Sequence, residues 1–449
     1  MMTLGELADL IPDARVIGDD NLVFRDVSTD TRTLPPGCLF FCLKGERFDA
    51  HDFADQAVAG GALALVVERR LDLEVPQIVV PDTRLALGSA AAGWRARFDI
   101  PVIAVTGSNG KTTVTQMLAT ILATAAGEAG RLATRGNLNN DIGLPLTLLR
   151  LRPEHRYAVV ELGMNHPGEI AYLASIAQPT VALVNNAQRE HQEFMGTVEA
   201  TAHENGSAIE ALPADGVAVF PADDDCAEIW RRLSGERRCL DFGFRQSAAV
   251  GARYQAAPSG LQLELDTPEG PIACRLQSTG AHNAHNAAAA ASAALAAGIA
   301  PDVIRQGLEA FTPVSGRGVI RQAHGGATVI DDTYNANPDS VRAAIELLAV
   351  LEGVRILVLG DMGEVGEQGP QFHAEIGGYA REQCLHALLA LGELTQASIS
   401  AFSDPTGEHF VEIDALINKA RQLAGPSATL LVKGSRFMKM ERVVQALCD

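Results

Sequence analysis

Apolar runs and helical segments alternate through the middle of the chain. The apolar runs lie at 102–106, 157–162, 180–185 and 217–220. Helical segments follow the first three runs, from Gly110, from Pro167 and near 198–212. Because strands that alternate with helices pair in parallel through crossover connections, this pattern predicts a parallel sheet.

The alternation restarts beyond a turn-rich segment at 312–318. Its apolar runs, each followed by a helical segment, lie at 328–331, 355–360, 387–391 and 429–432. The first 98 residues instead contain short strands and turns, with a helix around 52–61. We therefore predict an α/β protein of three domains: a small α/β domain at 1–98, a central parallel-sheet domain at 99–314 and a C-terminal Rossmann-like α/β domain at 315–449.

Two features depart from the central alternation. Residues 239–278 predict an antiparallel insertion, and the alanine-rich tract at 287–300 predicts a buried helix that is too short to span a bilayer. Polar residues also cluster where several apolar runs end, as at Asp331, Asp361 and Lys433. Since ligands of open α/β sheets bind outside the carboxyl ends of the strands, we expect the third domain to present a binding edge there.

The most informative motif is V-I-A-V-T-G-S-N-G-K-T-T at 102–113. It places a glycine loop between a strand and a helix, where backbone amides and Lys111 meet at the helix N-terminus, an arrangement that suits nucleotide phosphates. The loop is shorter than the usual phosphate-loop pattern, which wants a glycine where Val105 stands. The alternative is an ordinary glycine turn. The chain has 36 basic residues, only five of them lysines, and a lysine in this loop favours phosphate binding.

Composition limits the function classes. The 449 residues are 47% hydrophobic and 20% charged, with a net charge of −19, which argues against general binding to nucleic acid or to anionic membranes. The seven cysteines are scattered with no C-x-x-C pair, which is typical of reduced thiols in the cytoplasm. The N-terminus has no basic and apolar signal-peptide pattern. We predict a cytoplasmic protein without membrane insertion.

Two further residues at strand ends are candidate metal ligands. Glu161 ends the second apolar run, and a carboxylate beside a phosphate loop is a good ligand for Mg²⁺. His191 follows the third run within N-N-A-Q-R-E-H at 185–191. A lone histidine is more often an ordinary surface residue, so His191 depends on its context.

That context is a set of motifs in one order. It comprises S-T-D-T-R (28–32), G-C-L-F-F-C-L-K-G (37–45), F-D-A-H-D-F (48–53), T-G-S-N-G-K-T-T (106–113), G-N-L-N-N-D-I-G-L-P (136–145), E-L-G-M-N-H-P-G-E-I (161–170), H-N-A-H-N-A (282–287), D-D-T-Y-N-A-N-P (331–338) and V-K-G-S-R (432–436). Each motif is weak alone. Together, over the entire chain, they resemble the Mur ligases, and among them the MurF type, which joins UDP-N-acetylmuramoyl-tripeptide to D-alanyl-D-alanine.

The resemblance implies a nucleotide site in the central domain. The residues that would bind ATP are Gly107, Ser108, Asn109, Gly110, Lys111, Thr112, Thr113, Asn283, Asn286, Arg317 and Asp332. Asn283 and Asn286 would read the adenine from one helix face, or alternatively cap the helix. Thr112 and Glu161 would hold one Mg²⁺ and His191 a second, and Lys111, Glu161 and His191 would be the catalytic residues.

The resemblance also implies three regions for the peptide substrates. Ser28, Asp30 and Arg32 would contact the UDP group, although surface arginines often have no role. The loop of Asn137, Asn139, Asn140 and Asp141 would carry the muramoyl-peptide, or alternatively form an Asx turn. Tyr334, Asn335, Asn337, Lys433 and Ser435 would bind D-alanyl-D-alanine, whose carboxylate wants a cation and hydroxyl donors.

The implied reaction is ATP-dependent amide formation through an acyl phosphate, in peptidoglycan precursor synthesis, by an enzyme that is a monomer. Two ligase rivals share the phosphate loop: the folylpolyglutamate synthetases, which have no need of the N-terminal UDP module, and the MurE type, whose D-Y-A-H-T-P-type run differs from D-D-T-Y-N-A-N-P here. A third rival is a nucleotide-dependent switch without ligase activity.

One departure from the family concerns the second Mg²⁺. Mur ligases commonly carry a carbamylated lysine beyond the metal-binding histidine, and here Asn205 stands about where that lysine would fall. No lysine occurs between Lys111 and Lys419. We therefore hypothesise that Glu204 or Asn205 replaces the carbamate, directly or through water.

Overall fold

The computed structural model describes residues 1–45, 48–257 and 260–449. The strands of the first domain are β1 (Met2–Thr3), β2 (Arg15–Ile17), β3 (Val23–Phe24), β4 (Val27–Ser28), β5 (Leu39–Phe41), β6 (Ala64–Val67) and β7 (Gln77–Val79). Its helices are α1 (Leu4–Ala8), α2 (Ala54–Ala59) and α3 (Thr83–Arg95). The main sheet has the order β2-β7-β6-β5-β4, and β2 alone runs antiparallel to its neighbour. Helix α3 begins at Thr83, where the Asp82 carboxylate caps the amides of the first turn.

The central domain is built on a parallel sheet, as predicted. Its strands are β8 (Val102–Thr106), β9 (Arg131–Ala133), β10 (Tyr157–Glu161), β11 (Val181–Val184), β12 (Val217–Val219) and β13 (Arg238–Cys239), in the order β13-β12-β11-β8-β10-β9. Its helices are α4 (Lys111–Ala126), α5 (Gly143–Leu148), α6 (Glu169–Ala177), α7 (Gln192–Met195), α8 (Val198–Glu210) and α9 (Ala227–Ser234). Strand β8 lies between β10 and β11, so the segments after these three strands meet at one edge.

The predicted insertion and alanine-rich helix are both present. The insertion is a small sheet of β14 (Phe242–Gly243), β15 (Val250–Ala257), β16 (Gly260–Asp266) and β17 (Ile272–Leu276), antiparallel from β15 to β17. Helices α10 (Ala281–Ala296) and α11 (Pro301–Ala310) follow it. The alanines between positions 284 and 294 of α10 are fully buried against α4 and the sheet, because their small side chains let the elements approach closely.

The third domain carries a second, mostly parallel sheet. Its strands are β18 (Val319–Gln322), β19 (Thr328–Asp332), β20 (Val354–Gly360), β21 (Ala387–Leu391), β22 (Gly407–Phe410) and β23 (Ala428–Lys433), in the order β18-β19-β23-β20-β21-β22. Its helices are α12 (Pro338–Ala349), α13 (Gly369–Glu382), α14 (Thr395–Phe402), α15 (Ile413–Leu423) and α16 (Glu441–Cys448). The edge strands β18 and β22 were not predicted, because both are only half-buried and carry no apolar run.

The three-domain α/β architecture is therefore confirmed, whereas the boundaries at residues 98 and 314 stay predictions. One apolar cluster extends from the first domain into the central domain, and two others lie entirely within the third domain. In the part of the chain that the structure describes, no helix is long and apolar enough to cross a membrane.

Candidate active site

The glycine loop after β8 has the geometry of a phosphate-binding loop. Gly110 has a φ of 82°, and a Cβ at this position would lie 2.2 Å from Asn286 Oδ1, so glycine is required. Helix α4 begins at Lys111 without a side-chain cap. The amides of Gly110 to Thr113 therefore precede or open the helix without intrahelical acceptors, and can bind an anion.

Lys111 lies in this loop with its charge already engaged. Its Nζ donates to the carbonyl oxygens of Gly107 (2.6 Å) and Ser108 (3.1 Å) and lies 2.7 Å from Glu190 Oε1. Glu190 was not among the predicted residues, although it belongs to the N-N-A-Q-R-E-H motif. The lysine and the carboxylate are both about nine-tenths buried, at 14% and 12% exposure of their side chains.

The first part of the loop does not offer free amides, which corrects the prediction. The Gly107 amide donates to Asn205 Oδ1 (3.0 Å), while the amides of Ser108 and Asn109 donate to the carbonyl and the side chain of Asn186. The predicted phosphate cradle therefore shortens to Gly110, Lys111, Thr112 and Thr113, and Gly107 does not line the cavity described next.

A cavity of about 1720 Å³ joins the three domains in front of this loop. Its lining includes most of the residues predicted for the nucleotide: Ser108, Asn109, Gly110, Lys111, Thr112, Thr113, Asn283, Asn286, Arg317 and Asp332. It also includes Glu161, His191, Asn137, Asn139, Asn140, Asp141, Tyr334, Asn335, Asn337 and Lys433. The fold thus brings into one cavity residues that are far apart in the chain, such as Lys111 and Lys433.

The predicted adenine residues form a bonded pair on α10. Asn185 Nδ2 donates to Asn286 Oδ1 (3.0 Å), and Asn286 Nδ2 lies 3.4 Å from Asn283 Oδ1. The alternative of helix capping is wrong, since the N-cap is Gly280 and no side chain caps it. Arg317 enters from the third domain, donates to Thr112 Oγ1 (2.9 Å) and stacks on Tyr334 at 4.1 Å.

Glu161 has the strongest signature of a cation ligand. It is 2% exposed; its Oε1 accepts from Asn139 Nδ2 (2.8 Å), and its Oε2 is buried with no hydrogen-bond partner in the described structure. A buried carboxylate oxygen without a partner is costly, and a hard cation would satisfy it. Thr112, the other predicted oxygen ligand, lines the same cavity, where its hydroxyl accepts from Arg317.

His191 lies between two carboxylates. Its Nε2 is 3.5 Å from Glu190 Oε1, and its Nδ1 is 2.7 Å from Glu364 Oε2, an ion-pair distance without hydrogen-bond alignment. Burial by itself lowers the pKa of His191, but these two carboxylates outweigh it and raise the pKa to about 9. Glu364 comes from the third domain, so the predicted metal histidine also takes part in a domain contact.

The hypothesis that Glu204 or Asn205 replaces the carbamate is not supported by the geometry. The Glu204 carboxylate accepts from the amides of Gly168 (2.9 Å) and Ile170 (2.8 Å) at the start of α6. Asn205 Oδ1 accepts from Thr106 Oγ1 (2.5 Å) and the Gly107 amide. Neither residue lines the cavity, and within the described residues no cluster of three or more acidic, histidine or cysteine side chains could hold a metal.

The predicted muramoyl-peptide loop lines the cavity but is partly structural. Asn140 Oδ1 accepts from the amides of Ile142 (3.3 Å) and Gly143 (2.9 Å), which is the Asx turn weighed as the alternative. Asp141 forms a bidentate ion pair with Arg84 of the first domain, a contact that the sequence did not predict. Of the four residues, Asn137 has no side-chain hydrogen bond within the described chain.

The residues predicted for D-alanyl-D-alanine fit less well. Lys433 is 4% exposed, and its Nζ is 2.6 Å from Asp332 Oδ2 and 2.9 Å from the Asn335 carbonyl oxygen. Ser435 lies outside the cavity: its hydroxyl accepts from the Gly363 amide and donates to the Ala336 carbonyl oxygen. In this arrangement the Ser435 hydroxyl does not reach the cavity and Lys433 is not a free cation, so their contact with the dipeptide stays a prediction.

Asn337 has a structural role that the sequence also encoded. Its side chain caps α12 by accepting from the Ser340 amide (2.8 Å). The same amide group pairs with that of Asn109 in the phosphate loop, at 2.9 and 3.3 Å. Asn337 therefore connects the third domain to the central domain.

Ser28, Asp30 and Arg32 lie outside the cavity. The Ser28 hydroxyl bonds to the backbone of Asp30, and the exposed Arg32 guanidinium binds the Asp30 carboxylate at 2.7 Å, which lowers the pKa of that carboxyl to about 2. Their proposed contact with UDP is not tested by these contacts.

The junction between the central and third domains centres on Arg189, which was not predicted. Its guanidinium binds Asp339 Oδ1 (2.6 Å) on α12 and Glu375 Oε2 (2.7 Å) on α13, and its backbone amide donates to Asp339. The ring of Phe372 lies 5.3 Å from the guanidinium carbon. Like Glu190, Arg189 lies within the N-N-A-Q-R-E-H motif, and this motif could have indicated both residues from the sequence.

Comparison with known proteins gives one family throughout. The model described as "Mur ligase family, catalytic domain" matches residues 24–95, "Mur ligase middle domain" matches 105–294, and "Mur ligase, glutamate ligase domain" matches 316–436. The chain is 42% identical to the UDP-N-acetylmuramoyl-tripeptide--D-alanyl-D-alanine ligase of Escherichia coli, over 99% of this chain and 98% of that one.

Solved structures agree with the sequence match. A crystal structure of MurF from Acinetobacter baumannii superposes with a TM-score of 0.92 at 37% identity, covering 99% of this chain and 98% of that one. MurF ligase from Thermotoga maritima, in complex with ADP, superposes with a TM-score of 0.84 at 26% identity, covering 95% and 98%.

Proposed function

The chain belongs to the Mur ligase family, and we propose that it joins D-alanyl-D-alanine to UDP-N-acetylmuramoyl-tripeptide, converting ATP to ADP and phosphate, in peptidoglycan precursor synthesis. The observation that carries this proposal is the single cavity that holds the phosphate loop, the asparagine loop and the strand ends of the third domain. Such a cavity can bring three substrates together.

The chemistry follows from the substrates. A carboxylate is a poor electrophile, so the tripeptide carboxylate first attacks the γ-phosphorus of ATP, and an acyl phosphate forms as ADP leaves. The dipeptide amine then attacks the acyl carbon, and the tetrahedral intermediate expels phosphate and loses a proton as the amide forms. Phosphoryl transfer of this kind depends on positioning and on charge stabilisation more than on covalent work by the protein.

We assign these tasks to particular residues. Lys111 and the Gly110–Thr113 amides hold the transferring phosphoryl group, for which Lys111 exchanges its contact with Glu190. Asn283 and Asn286 bind the adenine, while Arg317 and Asp332 reach the nucleotide from the third domain. Closure of that domain excludes water, which would otherwise hydrolyse the acyl phosphate.

Mg²⁺ fits the oxygen ligands of this site. Thr112 and Glu161 would hold it, with His191 beside it once that histidine is deprotonated and released from Glu364. The ion would screen the repulsion between the phosphates and the substrate carboxylate. We propose further that the enzyme acts as a monomer in the cytoplasm, in keeping with cysteines that are all unpaired in the structure.

The experiment that tests the proposal is phosphate release with one substrate omitted at a time. A ligase releases phosphate when ATP, UDP-N-acetylmuramoyl-tripeptide and D-alanyl-D-alanine are all present. Equal release without the dipeptide would instead indicate the nucleotide-dependent switch. Mass spectrometry of the same reactions should detect the UDP-N-acetylmuramoyl-pentapeptide only in the complete mixture.

A further inference from the structure

A second cavity of about 640 Å³ lies beside the N-terminal half of α4, on the β9 side of the phosphate loop. Its charge is opposite to that of the chain, which has a net charge of −19. Glu128 is the acidic residue of its described lining, whereas the basic ones are Arg131, Arg135, Arg150, Arg317 and Arg436. We call these five residues the arginine pocket.

Most of this positive charge is not neutralised by the protein. Arg131 pairs with Glu128 (2.7 Å) and Arg436 pairs with Glu441 (2.9 Å). Across residues 1–45, 48–257 and 260–449, the other three arginines of the pocket have no carboxylate partner. In addition, Arg131 Nε is buried and has no hydrogen-bond partner in that part of the chain. A buried guanidinium N–H without an acceptor indicates a place for an anion.

Arg150 is the clearest case. Its half-buried guanidinium lines the pocket and donates to the Ala133 carbonyl oxygen (3.2 Å). Burial, together with repulsion from Arg135 and Arg152, lowers the pKa of Arg150 to about 10. Packing like charges around a partly desolvated arginine is unfavourable unless an anion joins them.

The arginine pocket adjoins the catalytic cavity. Thr112, Asn137, Arg317 and Tyr334 line both spaces. An anion in the pocket would therefore lie next to the residue predicted to hold Mg²⁺ and next to the asparagine loop. This position suits a charged group of a substrate that reacts at the phosphate loop, rather than the phosphates themselves, which the Gly110–Thr113 amides accommodate.

The two residues first expected to bind the dipeptide carboxylate are not free to do so in this structure, so another group must bind it. Lys433 is neutralised by Asp332, and Ser435 is buried outside the cavity. Arginine forks bind carboxylates in bidentate geometry. We propose that the arginine pocket binds a free carboxylate of one of the two peptide substrates. This inference rests on the proposed ligase function and deepens it.

Two carboxylates have the required chemistry. One is the C-terminal carboxylate of D-alanyl-D-alanine. The other is the side-chain carboxylate that the tripeptide carries when its third residue is diaminopimelate, and lacks when that residue is lysine. If the second is bound, the pocket determines which tripeptide the enzyme prefers.

The test uses Arg135→Ala, because Arg135 is exposed and its loss should leave the fold intact. Arg238→Ala is the matched control, since Arg238 is exposed on β13 and lines neither cavity. KM is measured for ATP, for each tripeptide, for D-alanyl-D-alanine and for D-alanyl-D-alanine amide, whose carboxylate is neutral. Equilibrium binding of each tripeptide to the complete chain is measured in parallel.

If the pocket binds the dipeptide, the neutral amide should raise the dipeptide KM of the unaltered enzyme roughly tenfold, the loss expected for a hydrogen bond to a charged group. Arg135→Ala should raise the KM of D-alanyl-D-alanine similarly. In this variant the KM of the amide should equal that of the dipeptide. If the pocket binds diaminopimelate, the unaltered enzyme should bind that tripeptide roughly tenfold more tightly than the lysine form, and Arg135→Ala should lose the preference.

The proposal is overturned if Arg135→Ala changes neither the preference for D-alanyl-D-alanine over its amide nor the preference for the diaminopimelate tripeptide over the lysine form. It is also overturned if only the KM of ATP rises. Arg150→Lys provides a second variant that keeps the charge while removing the bidentate fork, and should reproduce the loss in part. Failure of the proposed function is distinguishable, because the unaltered enzyme would then form no amide product with any of these substrates.

Discussion

The two junctions of the central domain are built from different interactions. Toward the first domain, one apolar cluster runs continuously from Leu87 and Trp94 of α3 to Leu148 and Ile176 of the central domain. Trp94 Nε1 also donates to the Leu151 carbonyl oxygen (3.1 Å). Toward the third domain, the contacts described above are ion pairs, hydrogen bonds and one cation–π contact, and the apolar clusters of that domain contain no described residue of the other two.

The difference suggests how the enzyme divides its work. Apolar burial resists opening, because separation would expose the shared core to water. The side chains of these ion pairs keep between 12% and 49% exposure, so the pairs separate at a lower cost than an apolar core, because water and salt can replace the partners. We expect the first two domains to form a rigid base for ATP and the tripeptide, and the third domain to move against it.

The largest effect is expected at the apolar junction. Trp94→Ala removes a ring that is 6% exposed and its hydrogen bond, and should lower the unfolding free energy of the first two domains by about 3–5 kcal/mol. Phe402→Ala, in the core of the third domain, should destabilise that domain alone. Calorimetry of both variants tests this, and a single transition lowered equally by either change would contradict two separate units.

A large catalytic effect is expected at the phosphate loop. Lys111→Ala should reduce turnover at least roughly a hundredfold, the scale for losing one charge-stabilising group, while the fold survives. No other lysine lies between Lys44 and Lys419 to replace it. Lys419→Ala, which breaks only the surface pair with Glu408, is the control. Steady-state rates check this, and near-normal turnover of the Lys111 variant would refute the phosphate assignment.

An intermediate effect is expected at the polar junction. Arg189→Ala removes the ion pairs with Asp339 and Glu375, so the closed arrangement should be less populated and kcat/KM for the dipeptide should fall roughly three- to tenfold. Arg342→Ala removes a pair with the same Glu375 inside the third domain and should leave the rate nearly unchanged. Equal losses in the two variants would show that Glu375, not the junction, matters.

The smallest effect is expected at Asn337. Asn337→Ser keeps a hydroxyl that caps α12 but loses the amide pair with Asn109. If Asn337 serves the junction, the KM values of dipeptide and tripeptide should rise together, by roughly two- to threefold for the two lost hydrogen bonds of the amide pair, which water can replace in part. A rise confined to the dipeptide would restore the earlier prediction that Asn337 binds that substrate.

The sequence predicted the central sheet and the phosphate loop well because their signals are local. Buried parallel strands are continuous apolar runs, and the loop glycines precede Lys111 directly. The strands β18 and β22 escaped because half-buried edge strands carry no such run. The position of Glu161 was also predictable, because it ends an apolar run that pairs in parallel beside β8.

The contacts between domains could not be predicted, because they depend on tertiary positions. Nothing near Arg84 indicates Asp141 as its partner, and nothing near Lys433 shows that Asp332 neutralises it. Asn205 was misjudged for the same reason: its spacing from His191 matched a metal ligand, but its amide supports the Gly107 turn. The arginine pocket likewise gathers residues from three separate segments.

The central claim is that the tripeptide carboxylate is first activated by phosphoryl transfer from ATP, and that the dipeptide amine attacks it only afterwards. The direct measurement uses tripeptide whose reacting carboxylate carries ¹⁸O in both oxygens, with mass spectrometry of the phosphate released. An acyl phosphate transfers one of these oxygens to phosphorus, so we predict phosphate that contains one ¹⁸O for each amide formed. Phosphate without label would contradict the account, since the carboxylate oxygen would then never have been bonded to phosphorus.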